Sequence, residues 1–150
     1  MKGSFKFALI ALILNMSCKT SKVVFNPETS DKMFLTFGSG GGFTGKVMTY
    51  YLTEDGSLYT KSGDEITKVG KAAKEIAKQA FTNYESLGLM KVNLNDPGNR
   101  YSFIERKNGS EKNAIKWGNN PLGNKNIETY FAVLMNIVKK INPPKNEPTK

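Results

Sequence analysis

The sequence predicts an α+β domain, an antiparallel β-sheet of about four to six strands with two amphipathic helices packed on one face. Strand-like runs joined by tight turn signals fill the first half, and a stripe of apolar residues at helical spacing follows them. A hairpin-like pair then precedes a second such stripe. Residues 33–141 of the 150-residue chain carry this pattern. That length supports one core of two packed layers and is too short for two domains.

Met33-Phe-Leu-Thr-Phe37 opens the domain as an apolar, β-propense run, and the glycine-dense Gly38–Gly45 interrupts it. Val47–Leu52 is the next strand, Glu54-Asp55-Gly56 a turn, and Ser57–Lys61 its partner strand. Ser62-Gly-Asp64 turns again and Glu65–Val69 adds a short strand. Ala73, Ile76, Ala77, Ala80, Phe81 and Tyr84 then fall on one helical face, predicting a helix over Lys71–Ser86 with Gly88 as its stop. Asn93–Asn99 is a loop by composition. Tyr101–Arg106 and Ala114–Trp117 flank Asn108-Gly109 as a second hairpin, and Gly118–Asn126 is a further loop. Ile127, Tyr130, Phe131, Leu134, Ile137, Val138 and Ile141 form the second helical stripe. Asn126 is its expected N-cap, Lys139-Lys140 suit its C-terminal end, and Pro143-Pro144 stops it. The core is expected from Ile76, Phe81, Tyr130, Phe131, Leu134 and Ile137, laid on a sheet face supplied by Phe34, Tyr50, Leu52, Leu58, Phe103, Ile115 and Trp117.

Residues 1–17 read as an export signal. Met1, Lys2 and Lys6 make a positive start, and Phe7–Leu14 is an apolar run too short to span a bilayer as a helix. Cys18, the single cysteine, follows Ser17 with Leu14 upstream, an arrangement that resembles a bacterial lipobox. It differs from the common pattern at Asn15 and Met16. Two readings stand: a lipoprotein whose Cys18 carries the lipid, or a secretory signal with an incidental cysteine. Both take the mature chain out of the cytoplasm. Residues 18–32 are then a lipidated tether, either alone or with one short strand at Val23-Val-Phe25, and 142–150 a disordered tail.

The formal charge is +9 with no histidine. Without histidine there is no Ser-His-Asp triad, His-ligated zinc or imidazole acid–base chemistry. One cysteine excludes a disulfide framework and a Cys-rich metal site. The basic residues are scattered lysines, with arginine only at Arg100 and Arg106, which argues against nucleic acid as the partner. Gly40, Gly42 and Gly45 satisfy G-x-G-x-x-G, and Gly40–Lys46 nearly makes a Walker A loop. Val47 stands where the magnesium-binding hydroxyl is required, however, and the segment leads into a strand instead of a helix. Glu54-Asp55 and Asp64-Glu65 sit in turns, and no G-x-S-x-G elbow surrounds any serine. The chain is therefore expected to be non-enzymatic, with no cofactor and no metal.

Consecutive glycines are costly to order unless close backbone approach or positive φ demands them. Phe43 within them is either folded back onto the core or exposed as an anchor for a partner. The segment Gly41-Gly-Phe-Thr-Gly45, followed by strand, turn, helix, a Tyr101-Ser-Phe-Ile104 hairpin and a final helix, resembles the emfourin family. These are small inhibitors of thermolysin-like metalloproteases that carry a similar G-G-F-[A/T]-G segment. The likeness covers the order of elements over about residues 33–140, and the export signal departs from that family. It implies an inhibitor fold, an extracytoplasmic protease or other envelope protein as partner, and Gly41, Gly42, Phe43, Thr44 and Gly45 as the partner-binding residues. The alternative is a small basic lipoprotein that binds an anionic ligand or envelope polymer, for which lysines of different elements must converge on one face.

Overall fold

The computed structural model of the protein describes residues 25–118 and 124–143. The expected export signal, Cys18, and the tail beyond Pro143 lie outside the described residues.

Strands β1 (Phe34–Gly41), β2 (Met48–Thr53), β3 (Ser57–Ser62) and β4 (Glu65–Lys71) form a meander. Helix α1 (Lys74–Ser86), strands β5 (Leu94–Asp96), β6 (Arg100–Asn108) and β7 (Glu111–Trp117), and helix α2 (Lys125–Ile141) follow. The strands make one sheet in the order β4-β3-β2-β1-β6-β7-β5. Every neighbouring pair is antiparallel except β5 with β7. The fold is thus α+β with two helices, and its seven strands exceed the four to six expected. The addition is β5, whose three residues lie in a segment read as loop. A strand that short carries no periodicity, and only the edge of β7 makes it one.

Strand alternation sorts the sheet into two faces. Leu35, Phe37, Leu52, Leu58, Ile104, Ile115 and Trp117 point to one side and share a core with Ala80, Phe81 and Tyr84 of α1 and Ile127, Tyr130, Leu134, Ile137 and Val138 of α2. Both helices therefore cover that face. Tyr50 is half-buried and packs against the same core. Phe34 and Phe103 do not join it as expected. Each alternates with a buried neighbour, Leu35 or Ile104, and so belongs to the face that the helices leave uncovered. There Phe25 stacks on Tyr59 at 4.7 Å and meets Phe34 edge-on at 5.2 Å. Packed structure thus reaches back into the segment read as tether.

Four further expectations are corrected. β1 does not stop at Phe37 but runs through the glycines to Gly41. A Cβ on Gly38 would lie 1.8 Å from the Met48 carbonyl oxygen, and one on Gly40 would lie 2.7 Å from the Tyr101 hydroxyl. These two glycines let neighbouring strands close in, so they serve the strand instead of ending it. α1 begins at Lys74 because β4 continues to Lys71, and Ala72 then donates to the Gly56 carbonyl at 2.8 Å. Ile76, expected in the core, is 49% exposed. It and Val133 instead line a groove between α1 and α2. At the start of α2 the cap is Asn124, whose side chain accepts from the Asn126 amide at 3.1 Å. Two asparagines two positions apart give the same sequence signal, and the chain uses the earlier one. Gly88 does end α1, at φ 71° with its amide on the Glu85 carbonyl.

Candidate functional site

The Gly41–Gly45 segment joins β1 to β2 at one end of the sheet. Gly42 donates to the Asn99 carbonyl at 2.8 Å, and Gly45 donates back to the Gly42 carbonyl at 3.2 Å. The second bond closes a four-residue turn with Phe43 and Thr44 at its apex. Gly41 and Gly42 take φ of 88° and 74°, a region side chains resist. A Cβ on Gly41 would also lie 2.2 Å from the Asn99 carbonyl oxygen. The glycines thus fasten the turn to the residues that lead into β6.

Phe43 does not fold back. Its relative exposure is 107%, and Thr44 beside it is exposed. Burying a phenylalanine contributes roughly 1.5–3 kcal/mol, and nothing in the fold collects that here. Val47 and Met48, just beyond the turn, are also exposed.

Beside the turn an open hollow of about 1050 Å³ crosses the ends of the central strands. Lys46 after the turn, Lys61 of β3 and Arg100 of β6 border it, and the register turns Lys61 to the helix-free face and Arg100, in phase with Ile104 and Arg106, to the other. Thr60, Ser62 and Tyr101 add hydroxyls, and no carboxylate belongs to its described lining. Among the described residues the ion pairs are Lys71–Asp55, Arg106–Glu85 and Lys112–Glu105, so the three hollow cations are in none of them.

Lysines that look scattered along the chain gather on the helix-free face. Lys61 of β3, Lys68 of β4, Lys107 of β6 and Lys112 and Lys116 of β7 share it by register. Three of them sit over aromatic rings: Lys116 over Tyr101 at 5.0 Å, Lys107 over Phe34 at 5.6 Å and Lys68 over Tyr59 at 6.0 Å. Sequence reasoning missed this convergence. The signal was present in strand parity, since Tyr101, Phe103, Glu105 and Lys107 occupy the alternate positions of β6.

No protein-family model matches the chain, and no curated protein matches it.

Proposed function

We propose that this chain is an exported, membrane-anchored, non-enzymatic protein-binding module, with lipid carried on Cys18 and the Gly41–Gly45 turn as its contact. The observation that supports the reading is Phe43, a fully exposed aromatic at the tip of a turn pinned to Asn99. A rigid aromatic on a nearly bare backbone loses little entropy on docking and enters clefts that bulky neighbours would block. The likeness of the Gly41–Gly45 segment to emfourins makes a thermolysin-like protease of the cell envelope the partner to try first.

The test is titration of such a protease with the purified chain. The wild type should inhibit, and Phe43→Ala should weaken binding by about 2 kcal/mol, the range of an interface hot spot, while the fold is retained. No inhibition by the wild type retires the protease. Intact inhibition by a folded Phe43→Ala variant moves the contact elsewhere. For the anchor, a Cys18→Ser chain that is processed normally and still partitions with membranes retires the lipid.

A further inference from the structure

We infer that the helix-free face of the sheet lies against an anionic membrane surface, an inference that rests on reading Cys18 as the lipid anchor. The first support is where the chain enters the fold. Phe25 stacks on Tyr59 and meets Phe34 edge-on, so the chain reaches the domain on the helix-free face. Lys107 fixes that entry by donating to the Pro27 carbonyl at 2.8 Å. Cys18 stands seven positions before Phe25. At about 3.6 Å per extended residue, a lipid on Cys18 holds Phe25 within about 25 Å of the bilayer.

The second support is the array of lysines. Lys61, Thr49, Gly38, Phe103 and Lys116 form one row across β3, β2, β1, β6 and β7. Its two lysines share the face and stand four strand spacings apart, about 19 Å. Lys68 lies in the next row beside Tyr59, and Lys107 and Lys112 pair in a third. Cations spread in both directions suit a charged surface, whereas a compact anion meets one lysine at a time. Glu105, held by Lys112 at 3.0 Å, is the carboxylate that the strands turn to this face. Glu28 and Asp31 precede β1, and Lys19, Lys22 and Lys32 of the same stretch outweigh them. Each basic side chain near an anionic leaflet adds about a fivefold preference for it.

The rings beneath the lysines fit an interface as well. Tyr101 and Phe103 are half-buried, and the Lys116 ammonium lies over the Tyr101 ring at 5.0 Å. That ammonium occupies the position where a nucleobase would stack, so the face does not suit nucleic acid. The Phe43 turn follows the far end of β1 from the Phe25 entry, and docking leaves it open to its partner.

The probe is a nanodisc of phosphatidylcholine and phosphatidylglycerol at about three to one, an anionic leaflet of the kind that draws basic surfaces. It carries the processed full chain and a trace of gadolinium-chelate lipid, with amide NMR broadening as the readout. Broadening falls steeply with distance, and stacked layers stand about 10 Å apart, so the amides of Lys61, Phe103 and Lys116 should broaden at least about fivefold more than those of Ala132 and Asn136 on α2. The contrast should fall at least about twofold in pure phosphatidylcholine, and also at about 1 M salt, where the screening length is about 3 Å. Lys61→Gln combined with Lys116→Gln should remove most of it, while Lys139→Gln combined with Lys140→Gln should leave it. Equal broadening of both layers overturns the inference, whatever Cys18 carries. So does a contrast unchanged in pure phosphatidylcholine, or one that both double variants reduce equally. Polyphosphate that shifts the sheet amides where the anionic nanodisc does not broaden them gives the face to a soluble polyanion and overturns it too. The mass of the N-terminal peptide reports the anchor separately. An unacylated Cys18 with the sheet amides still broadened removes the anchor and keeps the face. An acylated Cys18 with both layers broadened equally removes the face and keeps the anchor.

Discussion

The Tyr130 hydroxyl donates to the Ala80 carbonyl at 2.9 Å, a buried bond that ties α2 to the backbone of α1. Tyr84 packs edge-on against the same ring at 5.6 Å, and its own hydroxyl donates to the Asn113 side chain of β7. Two phenols therefore join both helices and the sheet. Burial is the main cause that pushes both phenols above the ordinary value of 10.0. The folded chain keeps them neutral while the unfolded chain ionises them from about pH 10 upward. Their contribution is thus fully present below pH 10 and is lost as pH rises towards the folded values. Urea unfolding at pH 8 and pH 11 should show a steep alkaline loss in the wild type and a shallower one in Tyr130→Phe. At pH 8 that variant should be less stable by about 1 kcal/mol, the usual worth of a hydrogen bond.

The position of a side chain relative to the helix–helix seam sets its stability effect. Leu134 is fully buried between α2 and the sheet, whereas Ile76, on an equally apolar stripe, lies at the rim. Leu134→Ala should cost about 2–5 kcal/mol through lost burial and the cavity left behind, and Ile76→Ala below about 1 kcal/mol. Chemical denaturation of both variants checks this. Similar losses would mean that the rim closes in solution.

These two residues also mark what the sequence could and could not specify. Helical spacing placed Ile76 and Leu134 on their helices' inner faces, and the period-two runs placed Leu52, Leu58 and Ile115 on the covered side of the sheet. Spacing alone cannot say how far a helix overlaps its neighbour, and Ile76 lies at the rim and not in the core. It also cannot set the parity of Phe34 or Phe103, because an aromatic suits either face of a strand until partners fix the register. At the site, consecutive glycines mark a backbone that needs positive φ or close approach, but they do not decide between burial and exposure for Phe43. The residues that border the hollow are as far apart in the sequence as Gly40, Thr60 and Arg100, so only the strand order brings them together.

Asp55 caps the β2–β3 turn. It accepts the Thr53 hydroxyl at 2.5 Å and the Ser57 amide and hydroxyl at 3.2 and 3.0 Å, and its other partner is Lys71 at 3.4 Å. The Thr53 hydrogen bond is the first cause that holds its carboxyl well below the usual range. A depressed folded value means that the contribution is present above the unfolded pKa, near 3.8, and disappears as pH falls below it. Asp55→Asn should lower stability at pH 7 and flatten the acid limb below about pH 4, a range set by the ordinary Asp value. Unfolding midpoints from pH 7 to pH 2 test this. An acid limb unchanged in the variant would assign it to other carboxylates.

Gly38 and Gly45 separate two reasons for glycine in the same segment. A Cβ on Gly38 would lie 1.8 Å from the Met48 carbonyl oxygen, which belongs to the β1–β2 ladder and cannot swing aside as a flexible side chain would. Gly45 has open space around its Cβ position but a φ of 60°. Gly38→Ala must push β1 and β2 apart, an overpacking cost of about 3 kcal/mol or more. Gly45→Ala should cost about 1 kcal/mol, the ordinary penalty for a left-handed residue. The two should also differ in where they act. The Gly38 variant should speed hydrogen exchange at the amides of β1 and β2 that lead into the Phe43 turn, whereas the Gly45 variant should change exchange only within the turn. Equal stability losses, or unchanged exchange along β1 in the Gly38 variant, would mean that the strands do not approach as closely as the Gly38–Met48 geometry requires.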